Sequence, residues 1–143
     1  MARLARGEAI DVPIYDFAHH ARAPRTTAVV PGSVVIVEGL FTFYWKTVRD
    51  RLDARIFIAA PDTECLARRL ERDVRERGRS SESIRRQWAE TVRPMYERYV
   101  DPQRAHATLV VNGADPVAVS VAAIRAHVAP ALGAPQRPDT SAV

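Results

Sequence analysis

The chain has 143 residues, 47% of them apolar and 27% charged, which places it among ordinary globular proteins with length for one hydrophobic core and excludes a wholly disordered chain. Its single cysteine, Cys65, excludes an internal disulfide and a multi-cysteine zinc site, and its apolar runs, 26–37 and 116–124, fall far short of the roughly 20 residues a membrane-spanning helix needs. The formal charge of +4 is carried by arginine, with Lys46 the one lysine, and points to a phosphate-bearing partner without choosing between nucleotide and nucleic acid.

Arg3 and Arg6 give way to Glu8 and Asp11 before any sustained apolar stretch, which does not suit a secretory signal, so a cytoplasmic protein is expected. Ile10, Val12 and Ile14 alternate against Ala9, Asp11 and Pro13, the period of a half-buried strand over 9–15, and Pro13 confines that strand to an edge or a sheet end. Residues 16–27 read as a polar loop returning through a short strand at 28–30. After the turn at Pro31–Gly32–Ser33, the run Val34–Val35–Ile36–Val37 predicts a strand buried on both faces of a parallel sheet. Two more such runs follow, at 55–60 and 109–111.

Each of these last two runs precedes a helix. Asp62 is the expected cap of the first helix, whose face carries Leu66, Leu70 and Val74 and which Gly78 ends. The pairs Glu64–Arg68, Glu71–Arg75 and Asp73–Arg77 have the favourable i,i+4 order. A second helix is predicted from Ser81, with Ile84, Trp88 and Val92 on one face and a break or kink at Pro94. The last starts at Asp115–Pro116, carries Val117, Val121, Ile124 and Val128, and fades at Pro130 and Gly133. Strands alternating with helices predict a three-layer α/β fold with a parallel sheet and flanking helices over 1–133, and a flexible tail over 134–143.

Neither Gly-x-x-x-x-Gly-Lys-Ser/Thr nor Gly-x-Gly-x-x-Gly occurs in these residues, so they hold no phosphate-binding loop and no dinucleotide fingerprint. The neighbours His19 and His20 do not converge on a metal, because adjacent side chains diverge and no other ligand stands at a zinc-like spacing. Glu38, directly after the β-branched run, is predicted at the C-terminal end of a parallel strand, where open α/β sheets bind ligands; a loop salt bridge is the competing reading. The strongest local signal is the run 68–79. Arg69, Arg72 and Asp73 share a helix face there, and Arg77 and Arg79 flank Gly78, so arginines at a helix end and on the loop beyond could close over polyphosphate. A solvated basic helix is the competing reading.

Five segments in order resemble the uridine kinase and uridine-cytidine kinase family, within the wider group of phosphoribulokinases and bacterial pantothenate kinases. They are Gly7-x-x-Ile10-x-x-Pro13-x-Tyr15-Asp16-Phe17; His20-x-Arg22; Val35-Ile36-Val37-Glu38-Gly39-Leu40; Arg69-x-x-Arg72-Asp73-x-x-x-Arg77-Gly78-Arg79; and Gln87-Trp88-x-x-x-Val92-x-Pro94-x-Tyr96. Phe17 after Tyr15–Asp16 favours the nucleoside kinases, since a histidine follows this pair in the other two branches.

The resemblance implies a P-loop-kinase-like domain with a lid over about 75–86. It implies a nucleoside pocket of Tyr15, Phe17, His20, Arg69 and Gln87, donor-phosphate contacts from Arg72, Arg77 and Arg79, and catalytic roles for Glu38, Arg77 and Arg79, with Glu38 acting indirectly on Mg²⁺. The family's P-loop strand, its following helix and its aspartate general base map onto no residue here, so the expectation is an N-terminally truncated chain: a gene fragment, a late start or half of a split protein. For the full-length form the implied activity is ATP-dependent phosphorylation of the 5′-hydroxyl of uridine or cytidine in pyrimidine salvage, with ATP and Mg²⁺. The alternative is a catalytically inactive fragment that binds a nucleoside or a protein partner. Nucleoside and ATP are the expected small-molecule partners, with a homo-oligomer or a separately encoded N-terminal half as protein partner. No membrane partner is expected, and no nucleic acid, because the arginines interleave with Glu and Asp and no aromatic stacking array accompanies them.

Overall fold

The computed structural model describes residues 2–16 and 21–133. The chain divides into two compact units, residues 1–38 with 135–143, and residues 39–134.

In the first unit a short helix α1 (Ala2–Ala5) precedes an antiparallel hairpin of β1 (Ile10–Asp16) and β2 (Ala21–Val29). Ile10 faces Val29 and Asp16 faces Ala21, with an irregularity in register between Pro13 and Tyr15. The return strand is longer than the sequence suggests, since β2 takes up most of the segment expected as loop. With only two strands, each is an edge, and that is where Pro13 can sit without removing a ladder bond that the sheet needs.

The expected strand Val34–Val37 does not form. These residues have no regular structure and all four are exposed, Ile36 to 87%. A β-branched run favours a pleated, buried environment, but it becomes a strand only by pairing its backbone with a neighbour. None of the described strands pairs with it.

The second unit contains a parallel pair, β3 (Ile56–Ala59) and β4 (Leu109–Asn112), in the register Ile56↔Leu109 to Ala59↔Asn112. Phe57 and Val111 are its buried positions, and Ile58 is exposed. A helical turn α2 (Lys46–Arg49) precedes β3. Between the strands lie α3 (Asp62–Arg77), α4 (Ser81–Gln87) and a long irregular helical stretch; α6 (Val117–Gly133) follows β4. The fold is therefore α/β with one small parallel and one small antiparallel sheet among helices, and the described residues form no larger sheet.

Helix α3 begins at Asp62, with Pro61 in the capping position rather than Asp62. The carboxylates of Asp62 and Glu64 lie in the first turn, at the positive end of the helix. All three expected i,i+4 ion pairs are present. The apolar stripe is less buried than its spacing suggests: Val74 is exposed, and the one fully buried residue of α3 is Asp73. Gly78 ends the helix in the left-handed region at φ 60°, with its N–H on the Asp73 carbonyl. Ser80 then caps α4, its hydroxyl accepting from the Ser83 N–H at 3.2 Å.

Pro94 does not break the second helix. The chain runs from α4 through a π-helical turn (Trp88–Val92), α5 (Arg93–Met95), a second π turn (Tyr96–Val100) and a 3₁₀ turn (Asp101–His106). Proline has no N–H and its ring excludes the carbonyl four residues back. The bonds shift instead: the Arg93 N–H reaches Trp88 and the Asp101 N–H reaches Tyr96, each five residues back. Helix α6 continues through Pro130 and ends at Gly133, the later of the two expected stop positions.

The core of this unit is Phe43, Phe57 and Val100, with Leu52, Ala59, Tyr96 and Ala107 against them. Buried Gln103 fastens its edge: the side chain accepts from the Phe43 N–H at 3.0 Å and donates to the Leu40 and Tyr99 carbonyls at 2.8 and 2.7 Å. A buried amide costs free energy unless its groups are paired, and here both ends are.

Candidate functional site

The junction of α3 and α4 carries the densest polar arrangement among the described residues. Ile84, fully buried, anchors α4 there. Gly78 allows the chain to reverse, and both the Gly78 and Arg79 N–H groups point at the Asp73 carbonyl. That reversal brings Arg79 and Gln87 back beside the helix face that carries Arg69, Arg72 and Asp73.

Asp73 lies at the centre with no exposed surface. Its Oδ1 accepts from Arg72 Nε at 2.8 Å and faces Arg77 Nη1 at 3.3 Å. Its Oδ2 faces Arg69 Nε at 3.5 Å and Arg79 Nη1 at 3.7 Å. The hydrogen bond from Arg72 is the main cause holding the Asp73 carboxyl below the usual carboxylate range; burial opposes it, and the charges of Arg72, Arg77 and Arg69 add to the lowering.

The four arginines are not equivalent. Arg69 and Arg79 are 20% and 31% exposed, and both donate to Gln87 Oε1, from Nη2 and Nη1 respectively, at 2.8 Å each. Arg79 also donates to Ser83 Oγ at 3.2 Å. Arg72 and Arg77 are 49% and 57% exposed and, among the described residues, have Asp73 as their ion-pair partner. Four guanidinium groups around one carboxylate leave a net charge of +3, and the two outward-facing cations can donate to an anion's oxygens in pairs. Phosphate oxygens fit this donor set.

The structure thus gathers Arg69, Arg72, Arg77, Arg79 and Gln87 into one cluster within residues 39–134. Tyr15 and Glu38 belong to the other unit. Tyr15 stands on β1 opposite Arg22, about half exposed. Glu38 lies in the exposed segment that forms no strand, so the expected placement at a strand end is corrected. Gly39 after it takes φ 154°, a conformation glycine tolerates. Phe17 and His20 lie outside the described residues. Among the described residues no three His, Cys, Asp or Glu side chains converge to hold a metal ion, and Glu38 brings a single carboxylate.

Sequence reasoning placed Asp73 on a helix face with Arg69 and Arg72 and in a pair with Arg77, but missed it as the centre of the site. A signal was present: Asp73 stands four residues after Arg69 and four before Arg77, so a carboxylate there lies within reach of both in a regular helix.

Among the described residues no helix is long and apolar enough to cross a membrane. Residues 1–120 match the model of the phosphoribulokinase / uridine kinase family. The chain is 39% identical over 129 residues to a uridine kinase of Vibrio cholerae, covering 90% of this chain and 61% of that protein. It is 37% identical over 134 residues to a uridine kinase of Vibrio parahaemolyticus, covering 94% and 63%. It is 39% identical over 120 residues to a uridine kinase of Escherichia coli, covering 82% and 56%. The chain therefore spans less than two thirds of the length of these relatives. With the family's arginine motif folded around one carboxylate and its family model matched over most of the sequence, the chain belongs to the phosphoribulokinase / uridine kinase family.

Proposed function

We propose that this chain is the acceptor-side and lid portion of an ATP-dependent kinase that phosphorylates the 5′-hydroxyl of uridine or cytidine. The observation that carries the reading is the arginine cluster on the α3–α4 junction, with Arg69 and Arg79 held on Gln87 and Arg72 and Arg77 facing outward. Family membership supports a nucleoside-kinase class of enzyme, and the similarity to uridine kinases supports uridine as acceptor.

In this reading Arg72 and Arg77 hold the donor phosphates and neutralise charge that develops on the transferring phosphoryl oxygens, and Arg79 closes the lid behind them. Arg69 and Gln87 contact the acceptor nucleoside, and Tyr15, Phe17 and His20 are the residues that the family resemblance assigns to its base. Bound ATP supplies the phosphoryl group. The bonds to Asp73 and Gln87 orient the arginines, which lowers the cost of aligning them at the moment of transfer.

Calorimetric titration of uridine and adenosine into the parent, Gln87→Ala and His20→Ala chains tests the pocket. One lost hydrogen bond in a formed pocket corresponds to roughly 2- to 13-fold weaker binding, expected for uridine and not for adenosine. Equal uridine affinity in all three chains would contradict the assignment.

A further inference from the structure

The cluster contains one group that has no part in the assigned pocket, and it is the most enclosed polar side chain of the chain. Asp73 has no exposed surface, and its two oxygens face different partners: Oδ1 meets Arg72 and Arg77, Oδ2 meets Arg69 and Arg79. The division by oxygen coincides with the division by exposure, since the Oδ1 pair is about half exposed and the Oδ2 pair is mostly covered. Asp73 Oδ2 and Arg69 Nε are buried without a hydrogen bond of their own. Such groups are uncommon in a packed interior. The Oδ2 side is therefore held by charge and by the Gln87 bonds, with slack left at its centre.

We propose that Asp73 is a positioning residue that sorts the four arginines into an outward pair, Arg72 and Arg77, which takes phosphate oxygens, and a fixed pair, Arg69 and Arg79, which forms the wall behind them. Four guanidinium groups this close repel one another, and a single central carboxylate both offsets part of that repulsion and fixes which face each one turns to solvent. Glycine at position 78 is part of the device, because only a reversal there returns Arg79 to the Oδ2 side. The phosphate part of this proposal rests on the kinase reading; the sorting part does not.

Arginine modification by p-hydroxyphenylglyoxal, mapped by peptide mass spectrometry, reads the sorting without any turnover. In the parent chain Arg69 and Arg79, the covered pair, should react several-fold more slowly than Arg72 and Arg77, the exposed pair. In Asp73→Asn the two pairs should react at nearly equal rates, while Arg55, whose side chain donates to the His106 and Leu52 carbonyls, stays slow as an internal mark of the folded state. Asp73→Glu should restore part of the difference. Should Asp73→Asn unfold and expose Arg55, Gln87→Ala decides: with Asp73 in place the difference should persist, and its collapse there would assign the sorting to Gln87 and overturn the proposal. An unchanged difference in folded Asp73→Asn would also overturn it. Tripolyphosphate added to the parent should protect Arg72 and Arg77 before Arg69 and Arg79; the reverse order, or no protection at any of the four, removes the phosphate-facing role. None of these readings depends on uridine phosphorylation, so failure of the kinase assignment is told apart from failure of the sorting.

Discussion

Arg69 Nη2 donates to Gln87 Oε1 across 2.8 Å, joining residues eighteen positions apart through the reversal at Gly78. Arg79 donates to the same oxygen at 2.8 Å, so one neutral amide holds two cations on adjacent elements. Gln87→Ala should therefore lower stability by about 1 kcal/mol, the scale of a net hydrogen bond at a partly exposed site. Urea unfolding followed by tryptophan fluorescence measures this, and an unchanged midpoint would mean that both arginines prefer water.

Ile84 is fully buried where α4 meets α3. Ile84→Ala should cost about 2–5 kcal/mol, against about 0.5–2 kcal/mol for loss of the cap in Ser80→Ala. Equal unfolding midpoints for the two variants would contradict the packing described for this junction.

At Gly78 an added Cβ meets no atom within 4 Å, yet φ is 60°. The cost of Gly78→Ala is thus conformational alone, about 1–2 kcal/mol, and Gly78→Asn should cost less because asparagine enters the left-handed region more readily. Thermal unfolding of the three chains should rank them Gly, Asn, Ala.

The carboxyl of Asp73 is held below its ordinary value of 3.8, first by the hydrogen bond from Arg72. A depressed carboxylate contributes stability that is fully present above its unfolded-state pKa and is lost as pH falls through the folded value. The stability difference between parent and Asp73→Asn should accordingly stay level from pH 8 to about 5 and shrink below about pH 4, where the unfolded-state carboxylate begins to protonate. A difference that grew on acidification would reverse the sign assigned to this group.

Much of the second unit was legible from sequence because its signals are local. Gly78 stops α3, Ser80 and Ser81 start α4, and the runs at 55–60 and 109–111 become β3 and β4, whose partners are each other. The run Val34–Val37 carries the same composition and forms no strand, because composition reports a preference for burial while a strand also requires a neighbour's backbone. Pro94 was legible as a disturbance, but not as π turns, since whether a helix breaks or re-registers depends on what packs against it: Val100 in the core and Tyr96 against it hold the stretch helical. Of the site, the arginines and Gln87 stood out by motif. Asp73 belonged to the same motif, but its central, enclosed place was not legible, because its neighbours on the helix surface are also charged and only the fold around Gly78 encloses it.

The central claim is an acceptor-side and lid role in phosphorylating a pyrimidine nucleoside. These 143 residues hold no Gly-x-x-x-x-Gly-Lys-Ser/Thr loop and should transfer no phosphate alone. The most direct measurement is phosphate transfer from Mg·ATP to uridine and cytidine by this chain joined to the part of the Vibrio cholerae uridine kinase that the match leaves uncovered. The account predicts 5′-phosphorylated product at roughly 1 to 100 per second, with Arg77→Ala lowering kcat more than it raises the nucleoside KM. A joined chain that folds and binds ATP but phosphorylates neither nucleoside would contradict it.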